Sequence, residues 1–138
     1  GETNDLAISA KVSYSDMEST ILTLVNEHRK SLNLSKLSPL NIISNVASYH
    51  TDYMIDVGEL SHDNFPQRAQ DLINNAAAKS VGENVAYGFG TAQGVVTGWL
   101  NSEEHKKIIE NPDYTHFGIS TENDINGNNY FTHIFIKQ

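Results

Sequence analysis

Gly82-Glu83-Asn84, with Ser61-His62 upstream and the Trp99 to His105 stretch downstream, gathers the residues of this chain best suited to chemistry. Two imidazoles and a carboxylate can move protons or hold a divalent ion. Gly82 lets another segment approach the backbone closely, and the Asn84 amide can bond neighbouring backbone groups. Glu83 so placed reads either as an acid–base group or as a buried, hydrogen-bonded carboxylate. His62, in the polar run Ser61-His62-Asp63-Asn64, reads as a loop surface residue or as a functional one. His105 reads as a cleft group or as a side chain capping a helix terminus. The other histidines are less suggestive. His28 and His50 fall on apolar helical stripes, where packed, hydrogen-bonded imidazoles are expected. His116 sits at a strand start, and His133 alternates with apolar neighbours, so it could point inward or to solvent.

Several specific motifs are missing. The chain has no His-Glu-x-x-His, no Gly-x-Ser-x-Gly, no phosphate-binding glycine loop and no calcium loop. Hydrolysis through an activated serine is therefore unsupported. The net charge of −8 and scattered basic residues, with Lys106-Lys107 the longest cluster, argue against a nucleic-acid partner. Polybasic membrane attachment is equally unsupported. Without cysteine there is neither a disulfide nor a thiolate metal site. No apolar run approaches the roughly 18 residues that span a bilayer. The opening Gly1-Glu2-Thr3-Asn4-Asp5, which lacks an initiator Met, reads as a mature chain from which a targeting segment has been removed.

These groups must be positioned by one small domain, since 138 residues leave little room for a second core. A chain of this size buries about two-thirds of the surface it exposes when unfolded, so it needs no staple. Residues 1–14 show no sustained period and are expected to form a flexible arm, with 15–138 as a single domain. Ser15-Asp16-Met17-Glu18 has the spacing of a capping box, and Met17, Ile21, Leu24, Val25 and His28 then recur at helical spacing. Ser38-Pro39 is expected to start a second helix, Ser as cap and Pro at the first helical position, ending at Gly58. Pro66 opens a short third helix through about Asn74. Residues 79–87 read as extended, leading to the loop Gly88-Phe89-Gly90. Thr91 caps a helix over Ala92–Asn101, in which Gly94 and Gly98 either weaken the helix or allow close packing. A helical turn, Glu103–Ile109, stops at Asn111-Pro112. Phe117–Thr121 and Tyr130–Ile136 alternate as strands, joined through a turn at Asn126-Gly127. The organisation is α+β, with helices packed on a small sheet.

Taken in order, these motifs resemble the CAP superfamily of cysteine-rich secretory proteins, antigen 5 and pathogenesis-related 1 proteins. The resemblance runs from about Ile21 to Ile136. It begins with Asn26-Glu27-His28-Arg29, similar to the family's first-helix Asn-x-x-Arg, and continues through Leu37-Ser38-Pro39-Leu40, Ala47-x-x-His50 and Leu60-Ser61-His62. Gly82-Glu83-Asn84-Val85-Ala86 is its strongest element. Trp99-Leu100-Asn101-Ser102-x-x-His105 and Phe117-Gly118-Ile119 resemble the bacterial branch. Tyr130-Phe131-Thr132-His133 stands where the family has an aromatic-Thr-Gln strand.

The resemblance implies an α-β-α sandwich, a small, mostly antiparallel sheet between helices, with a central cleft. Many eukaryotic members line that cleft with two histidines and two glutamates able to bind a divalent ion. Carried over, the first histidine is His62 and the first glutamate Glu83. The second glutamate falls on Ser102, and the second histidine on Tyr130 or Asn129. Half of the set is absent, although His105 could face the same cleft. No tightly bound cofactor is expected, since stable zinc sites use three or four protein ligands; a weak divalent metal site from His62, Glu83 and His105 is the alternative. The functional expectation is a bacterial, secreted or surface-anchored protein, with an outer-membrane lipoprotein included. Its cleft would bind a lipid, sterol or protein ligand, and a lipid anchor could lie outside this chain. The competing expectation is a weak metal-assisted or acid–base hydrolase built on His62, Glu83 and His105, with Gly82, Asn84 and Trp99 as the structural motif.

Overall fold

The computed structural model describes residues 13–138, so the expected N-terminal arm lies outside the described residues except for its last two positions. Five helices and four strands follow: α1 (Asp16–Ser31), β1 (Ser38–Pro39), α2 (Asn41–Val57), α3 (Phe65–Asn75), β2 (Ser80–Tyr87), α4 (Ala92–Leu100), α5 (Glu103–Ile109), β3 (His116–Asn123) and β4 (Asn129–Lys137). The sheet order is β1-β3-β4-β2, with β2–β4 and β3–β4 antiparallel and only the short β1–β3 pair parallel.

Alternation along β4 divides the core in two. Phe131 and Phe135 face one side, against Ile21, Leu22 and Val25 of α1 and Val95, Val96 and Trp99 of α4. Ile134 and Ile136 face the other, against Ile43, Val46 and Ala47 of α2 and Leu72 of α3. The result is the expected sandwich, with helices on both faces of a sheet.

Local chemistry sets the element ends. The capping box at α1 forms as its spacing predicts: the Ser15 hydroxyl accepts from the Glu18 amide and the Glu18 carboxylate accepts from the Ser15 amide. Gly58 closes α2 in the left-handed region, at φ 76°. The start of α2 differs from expectation. Ser38 and Pro39 do not cap it; they pair with His116 and Phe117, and the helix begins at Asn41 behind Leu40. The backbone amides of Ser38 and Leu40 donate to the carbonyls of Thr115 and Phe117, so this stretch is held extended by the sheet edge. The residue before a proline is biased toward that conformation in any case.

Two side chains of α1 lock the loops around it. Asn26 bonds both the amide and the carbonyl of Leu37. Arg29, fully buried, donates to the carbonyls of Ser35, Ile109 and Asn111. The Asn-x-x-Arg spacing is thereby explained: one turn of helix reaches one loop with each residue.

Candidate functional site

β2 is an edge strand, and its pleat decides which neighbours each residue of Gly82-Glu83-Asn84 meets. Glu83 pairs across the ladder with Ile134 and so faces the α2–α3 layer. Gly82 and Asn84 face the opposite layer. A Cβ on Gly82 would collide with the Tyr114 hydroxyl, which is why the position needs glycine. Asn84 is fully buried and its Nδ2 donates to the backbone carbonyl of His105. Trp99, also buried, donates from Nε1 to the Val85 carbonyl and fixes α4 to the same strand.

The Glu83 carboxylate, with 1% of its side chain exposed, is held by two partners. Arg68 of α3 binds it in a fork, Nε to Oε2 and Nη2 to Oε1, both at 2.7 Å. His62 donates from Nδ1 to Oε1 at 2.8 Å. Burial alone pushes the Glu83 pKa up, but the hydrogen bonds from His62 and Arg68, with the guanidinium charge, outweigh it. The carboxyl is therefore held below its ordinary value and stays ionised. Arg68 is anchored in turn, its Nη1 donating to the Asp63 carbonyl at 2.5 Å and its guanidinium lying 5.9 Å from the centre of the Phe65 ring.

His62 differs from its partners. Half of its side chain is exposed (52%), and with Nδ1 on Glu83 its Nε2 has no partner among the described residues. His62 and Glu83 line a recess of about 380 Å³ together with Phe65, Gly82, Ile108 and Tyr114. A larger surface cavity, of about 530 Å³, runs along α1 past Leu22 and Phe117 and touches none of these groups.

Of the residues singled out in the sequence, His62 and Glu83 bond each other with Gly82 in the same recess, whereas the side chains of His105, Ser102 and Tyr130 make their contacts elsewhere. His105 lies in α5, where its backbone carbonyl accepts from Asn84 and its Nδ1 shares a 2.7 Å hydrogen bond with the Ser102 hydroxyl. Tyr130 is buried beside Met54 and Val85, with its ring edge-on to Tyr87 at 4.7 Å. Asn129 is engaged elsewhere, donating to the Phe89 carbonyl.

The arrangement does not fit a divalent ion. Among the described residues no group of three His, Asp or Glu side chains is placed to hold one. The reason is visible at Glu83: a guanidinium already occupies the carboxylate face where a metal would sit. Arg68 is the partner in this candidate site that the sequence reading missed. One signal was present, because a cation so near a helix N-terminus opposes the helix dipole and calls for a carboxylate partner.

An α-β-α sandwich with a Gly-Glu-Asn strand at its edge defines a CAP-type fold, and the comparisons agree. The model of the cysteine-rich secretory protein (CAP) family matches residues 22–135, and the chain belongs to that family. The chain is 32% identical over 126 residues to the uncharacterized membrane protein YlbC of Bacillus subtilis, and 31% identical over 121 residues to the uncharacterized protein YkwD of the same organism. Those alignments take in 88% and 86% of this chain but only 34% and 47% of the relatives, so the chain spans less than half the length of either. Among solved structures it is similar to an outer surface protein of Borrelia burgdorferi, with a TM-score of 0.81 and 23% identity. That similarity covers 94% of this chain and 98% of the other. An extracellular protein of Bacillus anthracis containing an SCP domain has a TM-score of 0.76 and 26% identity, over 94% of this chain and 45% of that one. No described helix is long and apolar enough to cross a membrane.

Proposed function

We propose that this chain is a binding module of a bacterial secreted or surface-anchored protein, and that the recess at His62 and Glu83 contributes to ligand contact rather than to catalysis. One observation carries the reading: Glu83 is committed on both oxygens to Arg68 and His62. A carboxylate so neutralised, and kept ionised by its partners, is a poor proton donor and a poor base. No hydroxyl of serine or threonine bonds the His62 ring among the described residues, so a nucleophile activated as in a Ser–His pair is not supplied. The relatives support the location, two of the similar structures being named as an outer surface protein and an extracellular protein. A lipid, sterol or protein remains the class of ligand for this recess, whose walls include Phe65, Ile108 and Tyr114.

A second reading rests on the same geometry. A carboxylate holding His62 by Nδ1 leaves Nε2 free, as in a general base oriented for hydrolysis. The two are separated by turnover of a panel of peptide and glycan substrates by wild type, Glu83→Gln and His62→Ala. Binding alone predicts three indistinguishable background rates. Turnover that falls in both variants would replace the binding reading with the hydrolase.

A further inference from the structure

On the other side of Arg68 lies a groove of about 330 Å³ between α2 and α3, separate from the His62 recess. Its two walls differ in chemistry. The α2 wall is aromatic: Tyr49 and Tyr53 stand one helical turn apart, and the Tyr53 ring stacks on His50 at 5.8 Å and 17°. Tyr53 is pinned by its hydroxyl, which donates to Asp63 at 2.8 Å, whereas Tyr49 is 59% exposed and its hydroxyl has no partner among the described residues. The α3 wall is planar and polar. Asn64, Gln67 and Asp71 recur at helical spacing on one face.

These polar groups are left unused by the fold. Asn64 stands at the N-cap of α3, where its side chain would ordinarily accept a backbone amide, yet it makes no capping bond. The Gln67 side-chain amide has no partner among the described residues, and the Asp71 carboxylate spends only Oδ1, on Asn75. Buried His50 adds a further open group: its Nε2–H donates to the Ser61 carbonyl, and Nδ1 has no partner. Asn64 and Gln67 are exposed and Asp71 is half-buried, so amides and a carboxylate stand open to a ligand beside the aromatic rings of one concave site.

We infer that the α2–α3 groove binds a neutral saccharide, one pyranose ring lying on Tyr49 and Tyr53 with its hydroxyls bonded by Asn64, Gln67 and Asp71. A pyranose carries C–H groups on its faces and paired hydroxyls on its rim, which matches an aromatic wall beside amides and a carboxylate. The groove charge selects against acidic ligands. Arg68 is already neutralised by Glu83, which leaves the Asp71 carboxylate as the uncompensated charge, on a chain of net charge −8. A hydrocarbon chain would leave the amides unpaired, at a cost that a sugar avoids. The inference rests on the binding-module reading but concerns a different groove.

The test is amide-shift mapping on the full 138-residue chain with N,N′-diacetylchitobiose and cellobiose, and with digalacturonate as the acidic control. A neutral disaccharide should shift the amides around Tyr49, Tyr53, Gln67 and Asp71, and digalacturonate should shift them less. Tyr49→Ala should weaken binding at least ~10-fold and Tyr49→Phe by no more than about 3-fold, since the ring rather than the hydroxyl supplies the stacking surface. Tyr49 is too exposed for either change to threaten folding. No shift with either neutral sugar at about 20 mM, far above any useful dissociation constant, would overturn the inference. Shifts that survive Tyr49→Ala, or that centre on His62 and Gly82, would also overturn it. Such a failure leaves the substrate-panel result at Glu83 untouched, so the two readings fall separately.

Discussion

The carboxylate of Glu83 gains its character from a residue with no family badge. Arg68 and Glu83 form a forked pair with 10% and 1% of their side chains exposed, so neither charge is well solvated alone. Arg68→Ala should therefore cost about 3–5 kcal/mol by urea unfolding, because it strands a buried carboxylate. Replacing both together, Arg68→Met with Glu83→Leu, should recover most of that loss. If the double variant is as unstable as the single one, the pair is not the source of the penalty. His62→Ala removes a half-exposed partner and should cost less than about 1 kcal/mol. The sequence carried the identity of Glu83 and His62 but not their meeting with Arg68. Residues 68 and 83 are brought together by the packing of α3 on β2, and no local pattern encodes that pairing.

At the scale of elements, close approach is written into two strand glycines. A Cβ at Gly118 would lie 2.5 Å from the Ser44 amide nitrogen and 2.7 Å from the Ile43 carbonyl carbon, both backbone atoms of α2. A Cβ at Gly82 meets the far end of the Tyr114 side chain instead. A helix backbone cannot move aside as a ring can, though Tyr114 is itself stacked on Phe135 at 5.7 Å. Gly118→Ala should therefore destabilise by about 2–4 kcal/mol, and Gly82→Ala by less. Equal denaturation midpoints for the two variants would contradict this ranking. Most elements were legible because their signals are local: the Ser15 capping box, the Thr91 cap, Gly58 and the alternation of β4. Ser38-Pro39 misled because the same dipeptide that opens helices also suits an extended edge, and only the neighbouring β3 decides between them. His105 misled for a related reason. The α5 segment meets β2 through the backbone carbonyl of His105, which accepts from Asn84, while the His105 ring bonds Ser102, and sequence spacing does not show which of its atoms makes the contact.

Over the whole molecule, acid stability depends on groups that the fold keeps uncharged as well as on those it keeps ionised. His133 is fully buried at the centre of β4, its ring 4.4 Å from Phe135, 5.4 Å from Phe117 and 5.5 Å from Trp99, with neither nitrogen hydrogen-bonded. Burial pushes its pKa from 6.5 down to about 3. His50 is lowered too, chiefly by burial, with the Ser61 carbonyl opposing. A histidine with a depressed folded pKa binds its proton more readily when unfolded. Stability is then fully present above the ordinary value of 6.5 and is lost as pH falls toward the folded value near 3. Glu83 adds to the loss only at lower pH, below the ordinary 4.5, because its pKa is also depressed. Asp52 and Glu122 act the other way: burial raises both, with neighbouring carboxylates adding to the effect, so protonating them favours the fold. Both are exposed and unchanged by a histidine substitution, so between about pH 6 and pH 5 the difference between wild type and a histidine variant reads the histidine alone. There the unfolding free energy should fall by about 1.4 kcal/mol per pH unit for each fully depressed histidine. His133→Phe, an aromatic of similar size among Phe117, Phe135 and Trp99, removes the larger of these contributions. Its stability relative to wild type should therefore increase as pH falls through that interval, measured as urea midpoints across the pH series. Parallel curves for wild type and His133→Phe would show that the ring does not resist protonation, and that the acid sensitivity arises elsewhere.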